Sequence, residues 1–174
     1  EEILQESHAQ VYRRLEIIQE DKQDPKTYNI HHWQQRNPVI TEALIQLTLG
    51  APQVVYNGGL LMARVMYFDF KRKRPGLPKD VSALVEKLEA ERTVLQLVNL
   101  NPIEYKEVIV QAGAFGEHQF TQVKYQARVD GQVEEKITEV NNKCFHVHLP
   151  PGAQLTLNIG TKRFLNNPAY AFPW

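Results

Sequence analysis

Between Thr93 and Ile159 apolar residues recur at every second position, and this alternation constrains the fold more than any other feature of the chain. It is plain in the runs Thr93 to Leu100 and Phe145 to Ile159. Successive residues of a strand project to opposite faces, so each run makes one dry face and one wet one. The runs are separated by Asn101-Pro102, Gly113-Ala114-Phe115-Gly116, Asp130-Gly131, Asn141-Asn142 and Pro150-Pro151-Gly152. These are residues that end strands or turn them. Strands are therefore expected at about 93–100, 104–112, 117–130, 132–140, 143–149 and 153–160, folded as an antiparallel β-sandwich.

The first ninety residues read differently. Leu4, Val11, Leu15 and Ile18 fall on one helical face with charges opposite. A polar, irregular segment from Asp21 to Asn37 follows, broken at Pro25. Asn37-Pro38 is suited to start a second helix, striped by Ile40, Leu44 and Leu47 and stopped by Gly50. Gln53 to Tyr56, followed by Asn57-Gly58, signals a hairpin whose returning strand is Leu60 to Phe70; the alternative there is a buried helix, since Leu61, Met62, Val65 and Met66 also fit one helical face. Asp80 is placed to cap a short helix striped by Val81, Leu84, Val85 and Leu88. The expected fold class is α+β: a helical region with a hairpin over 1–90, then a sandwich over 91–174. Phe164, Tyr170, Phe172 and Trp174 make the last stretch too apolar for a loose tail, so it should pack back on the body.

Composition narrows the function classes. Twenty basic and twenty acidic residues cancel, which argues against a nucleic-acid binder working through whole-domain charge. The basic run Lys71-Arg72-Lys73-Arg74 precedes Pro75-Gly76 and reads as a solvated turn. No apolar stretch approaches the roughly 20 residues of a membrane span. The single Cys144 gives no disulfide framework and does not distinguish compartments. The opening Glu1-Glu2, without an initiator Met, reads as part of the C-terminal portion of a longer protein.

Three groups of residues carry candidate chemistry. Cys144, His146 and His148 share one face of a strand, and thiolate with imidazole can hold zinc or another first-row metal. A fourth ligand would come from His118 or Glu117. The segment holding His31, His32, Trp33 and Arg36 suits a sugar, the indole stacking on a ring and the polar groups reaching hydroxyls. The competing reading makes it a structural loop with Trp33 in the core. Asp69, Glu104, Glu107 and Glu117 are the candidate acid/base residues, Glu117 beside His118 the most suggestive, yet no order of carboxylates forms a glycosidase couple. Ser7 and Ser82 are the only serines, and neither sits in a nucleophile elbow. No catalytic residue and no cofactor is assigned.

Three phrases carry a family resemblance: Leu97-Val98-Asn99-Leu100-Asn101-Pro102, Val108-Ile109-Val110-Gln111, and His148 through Leu157 with its Leu149-Pro150-Pro151-Gly152 turn. Together they resemble the C-terminal β-sandwich of large bacterial carbohydrate-active enzymes. The resemblance implies that residues 1–90 trail from a catalytic domain, and that the catalytic carboxylates lie upstream. It implies a non-catalytic region that supports or orients that domain, with an upstream domain and a carbohydrate as partners. The alternatives are a segment lending substrate-binding residues to a glycoside-processing enzyme, and a metal-binding sandwich.

Overall fold

The structure is a computed structural model that describes residues 1–39, 41–51, 62–129 and 132–174. Backbone contacts group the chain into two units, Glu1–Leu44 and Ile45–Trp174. The strands therefore belong to one unit from the first of them onward, ahead of the expected division at residue 90.

The first unit opens with helix α1 (Glu2–Glu20), supported on its exposed side by Arg13 and Glu6 at 2.8 Å. None of its residues is buried, and Leu4 and Leu15 of the expected stripe remain 49% and 37% exposed. A single turn over Pro25–Thr27 is capped by Asp24, whose carboxylate accepts from the Lys26 N–H. A second turn covers His32–Gln34. Asn37 accepts from the Val39 N–H in a local turn instead of capping a helix at Pro38, and helix α2 (Glu42–Leu49) begins later. Gly50 ends α2 as expected, with φ +61° and its N–H on the Gln46 carbonyl.

Among the described residues the second unit holds nine strands: β1 (Val65–Asp69), β2 (Arg74–Pro75), β3 (Val81–Leu88), β4 (Arg92–Asn99), β5 (Lys106–Ala112), β6 (Gln119–Val129), β7 (Gln132–Asn142), β8 (Cys144–Leu149) and β9 (Gln154–Lys162). They form two antiparallel sheets, ordered β2-β1-β5-β8 and β3-β4-β9-β6-β7. β7 is one edge of the larger sheet and β8 one edge of the smaller. From β4 onward the strands fall within two residues of the sequence expectation. The Asn57-Gly58 turn lies outside the described residues, as does Asp130-Gly131, although β6 and β7 pair antiparallel from Val129 opposite Gln132.

One expectation is corrected. The segment after Asp80 is the strand β3 and not a helix, with Val81 and Val85 buried while Ser82, Leu84 and Glu86 face outward. Val81, Leu84, Val85 and Leu88 fit a helical stripe, but a period of two is also present and pairing with β4 selects it. The backbone bonds of β4 are then satisfied on both sides.

Both sheets contribute to one apolar cluster. Val65, Tyr67, Val108, Val110, Val147 and Leu149 come from the smaller sheet, and Leu95, Leu97, Phe120, Leu157 and Ile159 from the larger. Phe120 and Phe145 meet across them, ring centroids 5.0 Å apart. The Tyr67 phenol is buried there and donates to the Thr48 carbonyl at 2.6 Å, and burial raises its pKa. The other face of the smaller sheet is covered at β1, while at β8 His146 and His148 stay exposed. Phe172 and Trp174 stack at 5.0 Å and set their edges against Phe68, so the aromatic tail does pack back, and β1 is buried on both faces.

A polar knot fixes one end of this body. Asn99 is 1% exposed, and its amide nitrogen lies 2.8, 3.1 and 2.9 Å from the carbonyls of Glu104, Leu149 and Pro150. Two N–H bonds for three carbonyls means that one hydrogen is shared. Its oxygen accepts from the Asn101 N–H. Asn101 in turn donates to Asp80 and accepts from the N–H groups of Ile103 and Glu104. The Asn99 substitution to Ala should therefore cost about 3 kcal/mol, because buried carbonyls lose their donor. Exposed Ile137→Ala on β7 should stay within about 0.5 kcal/mol. Urea unfolding checks both, and an Asn99→Ala loss below that of Ile137→Ala would remove the knot from the account.

Candidate functional site

Beside the knot, which bonds the Glu104 backbone, lies a cleft where β1 ends and β5 begins. Asp69, Lys71, Arg72, Pro78, Lys79, Glu104, Tyr105, Lys106, Glu107 and His148 line a volume of about 520 Å³. That falls within the roughly 300–1,000 Å³ of small-molecule sites. The basic run read as a solvated turn supplies one wall. The Asp69 carboxylate accepts from the Arg72 N–H at 3.1 Å and curls the chain, with Lys71 and Arg72 lining the cleft and Lys73 over the Phe70 ring. Lys73 follows in the left-handed region at φ 49°.

The charges in the cleft are partly spoken for. Lys106 pairs with Glu104 at 2.7 Å and lies 3.8 Å from Asp80. The Lys106 ammonium beside Glu104 holds its carboxyl below the usual range, so Glu104 is ionised and has no proton to give. Asp69 is 3% exposed and faces Arg74 at 3.6 Å. Glu107 and His148 sit opposite one another on β5 and β8, Oε1 and Nδ1 3.1 Å apart. Lys71, Arg72 and Lys79 form no ion pair within 4 Å among the described residues. The ring of Tyr105 is 72% exposed at the rim.

Of the expected metal face, His148 alone lines this cleft. Cys144, His146 and His148 do share a face, since Phe145, Val147 and Leu149 turn inward. A rise of about 3.3 Å per residue puts the first and last roughly 13 Å apart, too far for one ion at bond lengths near 2.0–2.3 Å. Each has another neighbour: Cys144 faces Gln111 with Sγ 3.9 Å from Oε1, His146 meets the Phe70 ring at 5.1 Å, and His148 has Glu107. Burial pushes the Cys144 thiol up to about 11. Among the described residues no group of three or more His, Cys, Asp or Glu is placed to hold a metal ion.

Glu117 and His118 are brought together, but in a corner that holds the tail. Glu117 accepts from the Phe115 N–H at 2.8 Å, filling the space beside Gly113, where a Cβ would lie 2.4 Å from its carboxylate. His118 Nδ1 accepts from the Phe164 N–H at 3.1 Å, so its ring is neutral with the proton on Nε2. The His118 carbonyl and that of Gly116 accept from the Asn166 amide.

In the first unit, His32 is buried rather than Trp33. Its ring stacks on Tyr28 at 3.4 Å, and its Nε2 lies 3.1 Å from Asp21 Oδ2, off the direction of a hydrogen bond. Arg36 bonds the same Asp21 oxygen at 2.8 Å and the His32 carbonyl at 3.1 Å. The Gln23 N–H, with Arg36 behind it, lowers the Asp21 pKa. His31 and Trp33 stay exposed, Trp33 at 54%.

Residues 1–45 match the family model of a domain of unknown function, DUF8034. The match spans the first unit and carries no stated activity. No curated protein and no solved structure matches the chain significantly.

Two measurements test this geometry. Burial lowers the His118 pKa from its ordinary 6.5, with Glu117 opposing the shift and Arg64 and Arg163 adding to it. The unfolded chain then takes up the proton first, so stability is full above about pH 6.5 and falls as pH drops toward the folded pKa. Melting curves of the wild type should lose more between pH 7 and 5 than those of His118→Gln, and parallel curves would refute the role. The raised Cys144 pKa predicts alkylation at pH 8 roughly a hundredfold slower than for a free thiol. A rate equal to that of glutathione would show an accessible thiolate instead.

Proposed function

We propose that this chain is a non-catalytic region of a larger carbohydrate-related protein, a β-sandwich that supports a neighbouring domain and contacts saccharide at the Tyr105 cleft. The observation that carries the reading is an open, polar cleft of about 520 Å³ with an exposed aromatic ring at its rim. Saccharide sites pair such a ring with mixed donors and acceptors, and the cleft offers Lys and Arg donors beside the Glu104 and Glu107 acceptors. Glu104 is held ionised by Lys106, which favours binding over acid-assisted hydrolysis. Two antiparallel sheets sharing one apolar cluster support the sandwich reading.

A second reading places the saccharide contact on the first unit, favoured by the exposed Trp33 beside His31. Here Asp21 holds Arg36, and the buried His32 ring meets the indole edge-on at 5.2 Å. A glycan array separates the two. The cleft reading expects binding that Tyr105→Ala reduces at least about tenfold with the melting temperature unchanged. Loss on Trp33→Ala alone would move the contact to the first unit, and an array without binding would leave neither standing.

A further inference from the structure

The wall charges of the cleft are not balanced, and the imbalance bears on its ligand. Four cations line it, Lys71, Arg72, Lys79 and Lys106, against the three carboxylates Asp69, Glu104 and Glu107. Lys106 is taken by Glu104, with Asp80 close behind. Asp69 is buried, with Arg74 from outside the lining beside it, and Glu107 faces His148. Each carboxylate thus has a side-chain partner within 4 Å, and none of these is Lys71, Arg72 or Lys79, although Lys71 also acts on Glu104 at longer range and the Arg72 main-chain N–H bonds Asp69. These three are exposed, and they share the cleft with Tyr105.

We propose that the cleft takes an acidic saccharide, its carboxylate held by Lys71, Arg72 and Lys79 and its ring seated on Tyr105. The inference rests on the saccharide reading of the cleft and adds the charge class. A neutral sugar would leave three clustered cations repelling one another with nothing gained on binding. A compact dianion such as phosphate or sulfate would meet Glu104 and Glu107 in the same space. A uronate meets both halves of the wall. Its single carboxylate suits the guanidinium fork of Arg72, and its hydroxyls suit the Glu107 and His148 acceptor and donor edge. Tyr105 offers a flat apolar face at the rim, where one side of a pyranose ring is also apolar.

Calorimetric titration of the whole chain with a uronic-acid trisaccharide, its neutral methyl ester and sodium sulfate tests the assignment. The acid should bind at least about tenfold more tightly than the ester, and the advantage should shrink as salt rises from 50 to about 500 mM. Arg72→Gln or Lys79→Gln should bring acid and ester within roughly threefold of each other, whereas Tyr105→Ala should weaken both alike. All three side chains are exposed, so thermal melts should not move, and Arg72→Lys should restore only part of the preference. Equal affinity for acid and ester overturns the charge assignment while the saccharide reading stands. Binding of neither overturns both. Sulfate binding as tight as the uronate overturns the proposal in favour of a plain anion site.

Discussion

The carboxamide of Asn99 is where the second unit is tied together, and the shape of the cleft follows from it. A buried amide can be kept from water only if its hydrogens and lone pairs find partners. Here it reaches the carbonyls of Glu104, Leu149 and Pro150, which belong to two connections far apart in the chain. Those contacts join the end of β4, the loop from Leu100 to Tyr105 and the turn between β8 and β9. Neighbouring bonds repeat the tie, with the Asn99 N–H on the Ala153 carbonyl and the Gly152 N–H on that of Asn101. Glu104, Tyr105 and Lys106 are thereby presented on a fixed loop rather than a slack one, which is what a binding edge needs.

A second constraint acts from the opposite face of the smaller sheet. Phe68 and Ile109 point away from the shared apolar cluster, yet are only 5% and 0% exposed. Aromatic residues of the tail cover Phe68, and the Glu117–His118 corner anchors the tail's beginning. β1 and the latter part of β5 are dry on both sides for that reason. This explains why β1 reads as a continuous apolar run and not as an alternating one.

Strand alternation made the β-rich unit legible from β4 onward, because a period of two with Gly, Pro and Asn between runs has few other solutions. It failed at β3, where Val81, Leu84, Val85 and Leu88 satisfy two periods and only the neighbouring strand decides. The two phrases around Asn99 and Pro150 were conspicuous in the sequence, but not that they meet; that depends on pairing between β4 and β9. Metal-ligand spacing on β8 was read correctly as one face, while the reach along a strand sets its ends too far apart for one ion. The Tyr105 cleft was missed because its walls come from residues 69–79, 104–107 and 148, which no local window contains. A basic run closing on an Asp-anchored turn was the available signal, and it resembles any solvated loop.

The free edge at β7 has a consequence for how the chain behaves among its own copies. Among the described residues no strand pairs with the outer side of this eleven-residue strand, and such an edge is a template on which another strand can grow. β7 carries Glu134, Glu135, Lys136 and Glu139, with Lys136 and Glu134 paired at 2.6 Å, among the exposed Val133 and Ile137. A second β7 brought alongside would bring Glu134, Glu135 and Glu139 of each copy together with one Lys136 apiece, leaving acidic charge in excess at the new edge. Those side chains guard the edge against fibrous self-association, and they do so without contributing to the core.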